Sequence, residues 1–379
     1  MNPKKKILFV AMPDSVHTGR WVRQLDRDQW DVHLFPAYRA DLHPYLKDVT
    51  AHNILRQPLH ERIVRKIKNI GLHDYDGIAL AQTIRRIKPD IVHSLEMTKA
   101  GYLVLRAFNL LRTNLPPWIV SCWGSDLFLF ARLDDYEPQL RAILNRCDFF
   151  LSDCERDGFL ARQYGFEKTI LPVLPAGGGC DVVVRLNQIS PSKRKIIALK
   201  GYQGVMGRSL FGIAALRLNA DLIRQRNFRV VIYSAHAPEV RAAAELLSKS
   251  SNVSVKLMPK SSHEDMLRLF GESRMVVGIS ISDGMPYSVL EAMLMGAFPV
   301  QSDSFAMPTW FENRKNGLLV SPEDPQNIAK EIQNGLLDDS LVDEAAKENI
   351  KIIQQRYDQS QIRAQANEMY RTIAPSRRV

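Results

Sequence analysis

Short, mostly apolar runs alternate along the chain with longer stretches whose apolar positions recur at helical spacing. The runs at 7–11, 30–35, 91–95, 118–122, 149–152 and 170–174 read as strands buried on both faces. Between them, 20–27, 76–87, 98–111, 136–145 and 155–164 carry the amphipathic period of helices. A second series of strand-like runs starts at 195–200 and continues at 229–234, 253–258, 275–280, 298–302 and 317–320. Such alternation predicts parallel sheets with helices on both faces, an α/β doubly wound architecture. Residues 175–195, with Gly177-Gly178-Gly179 and Ser190-Pro191-Ser192, read as the linker between the two series. No internal repeat or low-complexity tract interrupts the pattern.

Length agrees with two series, since 379 residues exceed what one core holds and predict two domains. A content of 45% hydrophobic and 24% charged residues is that of a soluble globular protein. No apolar run reaches the roughly 18 residues that a membrane-spanning helix needs. Lys4-Lys5-Lys6 precede a short strand-like run without a small-residue cleavage site, so no signal peptide is expected. Cys122, Cys147, Cys154 and Cys180 have no close partners in sequence, which indicates neither a zinc site nor a disulfide framework. A reduced, cytoplasmic setting follows as the expectation.

The net charge of +10 favours an anionic partner. Nucleic acid is not expected, because no recognition helix, zinc finger or aromatic RNA platform is present. His60 to Ile70 places Ile63, Ile67 and Ile70 on one helical stripe among Arg62, Arg65, Lys66 and Lys68. That pattern has two readings: a basic amphipathic helix on anionic lipid, or a surface helix packing its isoleucines on the core.

The sharpest chemistry lies in Ser282-Asp283-Gly284-Met285-Pro286-Tyr287-Ser288-Val289-Leu290-Glu291-Ala292-Met293. A buried strand precedes it and a helix begins within it, so Gly284 and Pro286 belong to a tight strand-to-helix loop. Backbone N–H groups at such a loop, aided by the helix dipole, favour a phosphate. Carboxylates flanking a phosphate cradle suit a sugar nucleotide, because Asp283 and Glu291 can accept hydrogen bonds from sugar hydroxyls. Ser288-Val289-Leu290-Glu291 is also a capping-box pattern, in which Glu291 only bonds the backbone at the helix start.

This segment resembles the signature of the family 4 glycosyltransferases, retaining sugar transferases of GT-B fold. In that signature a glutamate, seven residues and a second glutamate precede Ala-Met and a glycine leading into a Pro-Val strand. Glu291 stands at the second glutamate, which in the family holds the nucleotide ribose. Asp283 stands at the first, with a shorter side chain than the family's usual glutamate. The resemblance implies two Rossmann-like doubly wound domains facing a central ligand cleft. Residues 1–180 would form the acceptor-side domain, closed by a returning C-terminal helix at 357–379, and 190–356 the donor-binding domain.

Other segments take their meaning beside that resemblance. Met12-Pro13-Asp14-Ser15-Val16-His17-Thr18-Gly19-Arg20-Trp21 follows the first strand and contains no G-x-G-x-x-G, against a dinucleotide-binding oxidoreductase. It stands where family members carry a glycine-rich turn beside the donor phosphate. Thr18 would cap the helix, Gly19 would allow close backbone approach, and His17 would contact substrate or be a loop histidine without a role. Ser121-Cys122-Trp123-Gly124-Ser125-Asp126 occupies the place of the family's His-Gly-x-Asp. Trp123 replaces the histidine, while Asp126 matches the aspartate and reads either as an acceptor-hydroxyl base or as a turn cap.

Ile196 to Ser209 offers a strand, three glycines and the cations Lys200 and Arg208, a diphosphate clamp in which Arg208 is the stronger assignment. The turn from Leu257 to Met266 resembles the one lining the nucleotide base, with contacts from backbone around Met258 and Lys260. Asp134-Asp135 and Asp338-Asp339 sit at helix edges, where acidic residues favour helix starts, and no metal or other cofactor is expected. The nucleotide diphosphate sugar is a co-substrate.

The combined expectation is a retaining glycosyltransferase passing a sugar to a glycan or lipid-linked hydroxyl, peripheral to an anionic membrane surface. Asp126, Asp283, Arg208 and His17 are the catalytic candidates. Lys200, Arg208, Met258, Lys260, Gly19, Asp283, Glu291 and the loop Gly284, Met285, Pro286, Tyr287, Ser288, Val289 and Leu290 are the donor-binding candidates. A GT-B-shaped scaffold without catalysis and a nucleotide-sugar epimerase are the alternatives. The sugar, the base and the acceptor hydroxyl stay open.

Overall fold

The computed structural model describes residues 3–52, 75–183, 189–258, 261–304, 306 and 311–374. The basic stretch 60–70 and the candidate Lys260 lie outside these residues. The chain divides into two compact units, Met1–Gly178 with Gln361–Val379, and Gly179–Ser360.

The first unit is built on a seven-stranded parallel sheet in the order β3-β2-β1-β4-β5-β6-β7. Its strands are β1 Lys5–Ala11, β2 Trp30–Pro36, β3 Thr50–Ala51, β4 Ile91–Leu95, β5 Trp118–Cys122, β6 Phe149–Ser152 and β7 Thr169–Ile170. Side chains alternate across a strand, so Leu8 and Val10 enter one core while Ile7, Phe9 and Ala11 enter the other. Burial on both faces explains why these strands read as mostly apolar runs rather than alternating ones.

The second unit has six parallel strands in the order β10-β9-β8-β11-β12-β13. They are β8 Ile196–Lys200, β9 Arg229–Tyr233, β10 Val255–Met258, β11 Ser273–Gly278, β12 Phe298–Ser302 and β13 Leu318–Val320. Ile197 and Leu199 again face one core, and Ile196 and Ala198 the other. Both sheets have the Rossmann strand order, with a switch point between the first and fourth strands of each.

In the second unit β10 starts at Val255 rather than 253 and β11 spans Ser273–Gly278 rather than 275–280, and the first unit departs from the sequence expectation in three places. β7 stops at Ile170 because Pro172 has no N–H to give a ladder, although Leu171 and Leu174 still donate to Phe150 and Ser152 carbonyls. β3, two residues long, is too short for periodicity to register. The first helix runs Val16–Val22 rather than from residue 20, and its N-cap is Ser15, which accepts the Thr18 N–H, instead of Thr18 itself.

The helix Gln359–Ile373 supplies Ile362, Ala366, Met369 and Tyr370 to the core of the first unit. Trp21 Nε1–H donates to the Tyr370 hydroxyl at 2.8 Å. Since indole only donates, that hydroxyl passes its own proton to His93 Nδ1 at 2.7 Å. His93 Nε2–H then donates to Ser121 Oγ at 2.8 Å. Burial pushes His93 down to about 3, so the ring is neutral and the chain of donors has one direction.

Candidate active site

In open α/β sheets the loops at the carboxyl ends of the strands diverge at the switch point and leave a crevice there. In the second unit those loops follow β8 and β11. The first is a narrow hairpin, with Gln203 bridged to Arg208 and Gly207 bridged to Ser280. A Cβ on Gly207 would lie 2.2 Å from the Tyr202 carbonyl oxygen, so the turn closes only around glycine. Arg208 N–H donates to Ile279 O at 3.0 Å and Ile281 N–H to Met206 O at 2.9 Å, clipping the hairpin to the segment after β11.

Arg208 does two jobs in this arrangement. Its Nη1 donates to the carbonyls of Gly204, Val205 and Gly207 at 3.1, 3.3 and 3.0 Å, bracing the glycine turn. Its Nε pairs with Glu323 at 2.9 Å, a carboxylate whose side chain is 58% exposed. An exposed ion pair of this kind is weak, and a doubly charged ligand competes well against it. Lys200, at the end of β8, has its ammonium 5.8 Å from the Tyr202 ring centroid. Burial raises the Tyr202 phenol, and Asp283 beside it raises it further.

After β11 the chain makes the Ser282–Pro286 turn and enters the helix Tyr287–Leu294. Pro286 is the N-cap and its own side chain makes no capping bond. Val289 and Leu290 N–H groups close the first turn on the Pro286 carbonyl at 2.9 and 3.5 Å. Of the donors expected from Tyr287, Ser288, Val289 and Leu290, the last two are therefore engaged within the helix itself. Met285, Tyr287, Val289 and Leu290 point their side chains into the core, so whatever they give a ligand comes from backbone. Asp283, half-buried, accepts the Gly284 N–H at 3.0 Å.

Glu291 lies in the second helical turn, past the reach of the helix start, which removes the capping-box reading. Its Oε1 lies 2.7 Å from Nε2 of His263, at the start of the helix His263–Glu272. The buried Tyr233 hydroxyl, at the end of β9, stands beside Ser288 and Glu291. Met258 ends β10, and its carbonyl accepts the Ser234 N–H at 2.8 Å.

The first unit gathers a different set at the ends of β1, β4 and β5. The His17 ring packs edge-on against Trp123, with centroids 6.0 Å apart. Gly19 lies inside the first helix, where a Cβ would come within 2.8 Å of Tyr45 Cβ. The close approach it permits is that of the turn Pro44–Leu46. Asp126 is buried and accepts the Trp123 N–H at 2.9 Å and the Met97 N–H at 3.4 Å. It thereby ties the loop after β5 to the loop after β4. Burial and the Glu96 carboxyl push Asp126 up to about 8. Glu96 is itself raised by burial, and accepts from the Lys99 and Ala100 backbone and the Thr98 hydroxyl.

Among the described residues, ligand atoms of Asp153, Cys154 and Asp157 lie within 4.8 Å of one another. Asp157 is taken by Arg156 at 3.0 Å and by the Cys122 thiol at 3.2 Å, and burial keeps the Cys154 thiol protonated. These groups form a buried hydrogen-bonded cluster. Asp338 caps a helix by accepting the Leu341 N–H at 2.8 Å, and Asp339 pairs with Arg274 at 2.7 Å.

The family model described as glycosyl transferase 4-like matches residues 6–153, and that described as glycosyl transferases group 1 matches 202–338. The chain belongs to the glycosyl transferase 4-like proteins. It is a glycosyltransferase, an enzyme that transfers a sugar. Comparison with curated proteins finds no match. Among solved structures, HepE of Anabaena in complex with UDP-glucose is similar, with a TM-score of 0.72 and 16% identity over 97% of this chain and 99% of that one. Sucrose-phosphate synthase from Thermosynechococcus elongatus gives 0.70 and 15% identity, covering 98% and 99%. TarM gives 0.72 and 12% identity, covering 99% of each chain. At these identities the likeness shows a shared fold, the GT-B arrangement of two Rossmann-like sheets.

In this glycosyltransferase the structure brings Lys200, Arg208, Asp283 and the Tyr287 helix start to neighbouring loops of the second unit, with Glu291 one turn further along that helix. His17 and Asp126 belong to the first unit, each in contact with Trp123. Sequence reasoning missed His263, Tyr233 and Glu96. A residue following a buried strand was the available signal for Glu96, whereas the other two depend on packing between distant segments.

Proposed function

We propose that this glycosyltransferase is a retaining enzyme whose nucleoside diphosphate donor sits at the carboxyl end of the second sheet. The carrying observation is the strand-to-helix turn at Pro286 that starts the helix Tyr287–Leu294, with Glu291 one turn behind it and the braced Arg208 hairpin alongside. Helix-end N–H groups favour the diphosphate, and Arg208 exchanges Glu323 for phosphate oxygens as the donor arrives. Neutralising the departing diphosphate is the largest contribution such a site makes to rate. Glu291 takes the ribose hydroxyls, and Asp283 a hydroxyl of the transferred sugar. HepE, of the same fold, was solved with UDP-glucose and with UDP and glucose, which supports a donor of this class.

Retention follows from attack on the side of the leaving group, with the donor phosphate taking the acceptor proton. The chain's residues supply positioning and charge, and no metal is needed. Asp126, carrying a proton at neutral pH, acts as a loop tie rather than a base. The acceptor is a glycan or lipid-linked hydroxyl at the cytoplasmic face of a membrane, a reading supported by the net charge of +10.

The test is thermal unfolding with UDP, GDP, ADP and their common sugars. A nucleotide at about 100 times its Kd adds roughly 2.7 kcal/mol, a readily seen shift. Glu291→Ala and Arg208→Ala should each abolish it, and Arg208→Ala should lower kcat by about 100- to 1,000-fold. Flat melts across the panel would overturn the donor site.

A further inference from the structure

His263 was not among the residues that the sequence pattern singled out, yet its ring bonds the carboxylate placed at the ribose position. Its Nε2 lies 2.7 Å from Glu291 Oε1 across a sequence separation of 28 residues. A carboxylate only accepts, so Nε2 carries the proton and donates. The two side chains are 36% and 11% exposed, which puts this charge-assisted bond at the edge of the protein interior, where it is screened less than a surface pair.

Both ends of the bond are fixed by local structure. Ser262 caps the histidine's helix, its hydroxyl accepting the Asp265 N–H at 3.1 Å and donating to Asp265 Oδ2 at 2.7 Å. That double link sets the direction in which His263 leaves the first turn. Glu291 rises from a helix whose Val289, Leu290 and Met293 are fully buried, so the backbone beneath it cannot rotate. Glutamate alone keeps several side-chain rotamers, and ordering them on binding costs affinity. A histidine already holding one carboxylate oxygen removes that cost before the nucleotide arrives.

We infer that His263 is a positioning residue of the donor site, orienting the Glu291 carboxylate for the ribose hydroxyls of a nucleoside diphosphate. This rests on the reading that Glu291 holds the ribose. The bond joins the turn after β10 to the helix after β11, so the ribose contact depends on two loops keeping one spacing.

The experiment is calorimetric titration of UDP, GDP and ADP, each against its 2′-deoxy counterpart, into the full chain and its variants. The wild type should bind the ribonucleotide roughly ten-fold more tightly than the deoxynucleotide, as buried groups built for a hydroxyl discriminate against its loss. His263→Ala should shrink that ratio to within about two-fold, while His263→Gln, which keeps a donor near the Nε2 position, should restore most of it. His263→Phe keeps the ring without the donor and gives the same reading should the alanine variant melt early. A wild-type ratio in both His263→Ala and His263→Phe, or tighter ribonucleotide binding by either, would overturn the inference. Glu291→Ala separates the two layers. A ratio unchanged in Glu291→Ala defeats the ribose reading, and the role of His263 with it, as does failure of all three nucleotides to bind wild type. Loss of the ratio in Glu291→Ala alone defeats only His263.

Discussion

Asp126 shows how burial changes the meaning of a residue. A carboxyl that reads as a base is enclosed beside Glu96 and raised from 3.8 to about 8. The folded chain therefore holds a proton that the unfolded chain gives up near 3.8. Stability from this group is fully present below about pH 4 and is lost as pH rises towards 8, at up to about 1.4 kcal/mol per pH unit. His93 has the opposite sign. Its folded value of about 3 lies below the ordinary 6.5, so its contribution is present above pH 6.5 and fades as pH falls towards 3. Between about pH 4 and 6.5 the two slopes oppose and largely cancel, so urea unfolding between pH 4 and 8.5 should show a net loss only above about 6.5. Asp126→Asn should remove that loss and uncover a rise towards pH 6.5, and His93→Gln should uncover a fall from pH 4; an alkaline loss untouched by Asp126→Asn would mean that Asp126 is ionised in the fold.

Elements in this protein are held by few polar links set in large apolar contacts. The helix Gln359–Ile373 buries Tyr370 completely, and the Tyr370 hydroxyl both accepts from Trp21 and donates to His93. Tyr370→Phe keeps the packing but leaves an indole N–H and an imidazole nitrogen unpaired, at about 1–3 kcal/mol for each unsatisfied group. Chemical denaturation should register that loss, and a variant as stable as wild type would show that neither bond matters. On the other unit, the Tyr287–Leu294 helix illustrates how an element prepares a site. Its core face fixes its axis, and with it the position of the Ser282–Pro286 turn and of Glu291.

At the scale of the whole molecule, each unit has its own parallel sheet and its own cores, and the polypeptide returns to the first unit through its last residues. The charge is a property of the entire chain: 51 Lys and Arg against 41 Asp and Glu. If membrane attraction is part of function, sedimentation with phosphatidylserine-containing vesicles should be strong at low salt and fall steeply as the Debye length shrinks from about 30 Å at 0.01 M to about 10 Å at 0.1 M. Binding equal to that on neutral phosphatidylcholine vesicles would remove the membrane from the proposal.

The sequence by itself determined the doubly wound fold, because strands buried on both faces are mostly apolar without period-2 alternation, as 91–95, 118–122, 149–152 and 298–302 are. It also determined the family, because the loop from Asp283 to Glu291 combines glycine, proline and carboxylates at fixed spacing. Tertiary structure alone decided what the side chains do. Glu291 escapes the capping box because the helix begins at Tyr287, and it meets His263 only because two strand connections end side by side. Arg208 is drawn to its own turn and to Glu323, and Asp126 is raised first by burial and then by Glu96 folded beside it. Periodicity records which residues leave water, a local property, whereas hydrogen-bond partners and proton affinities depend on which distant groups share the interior.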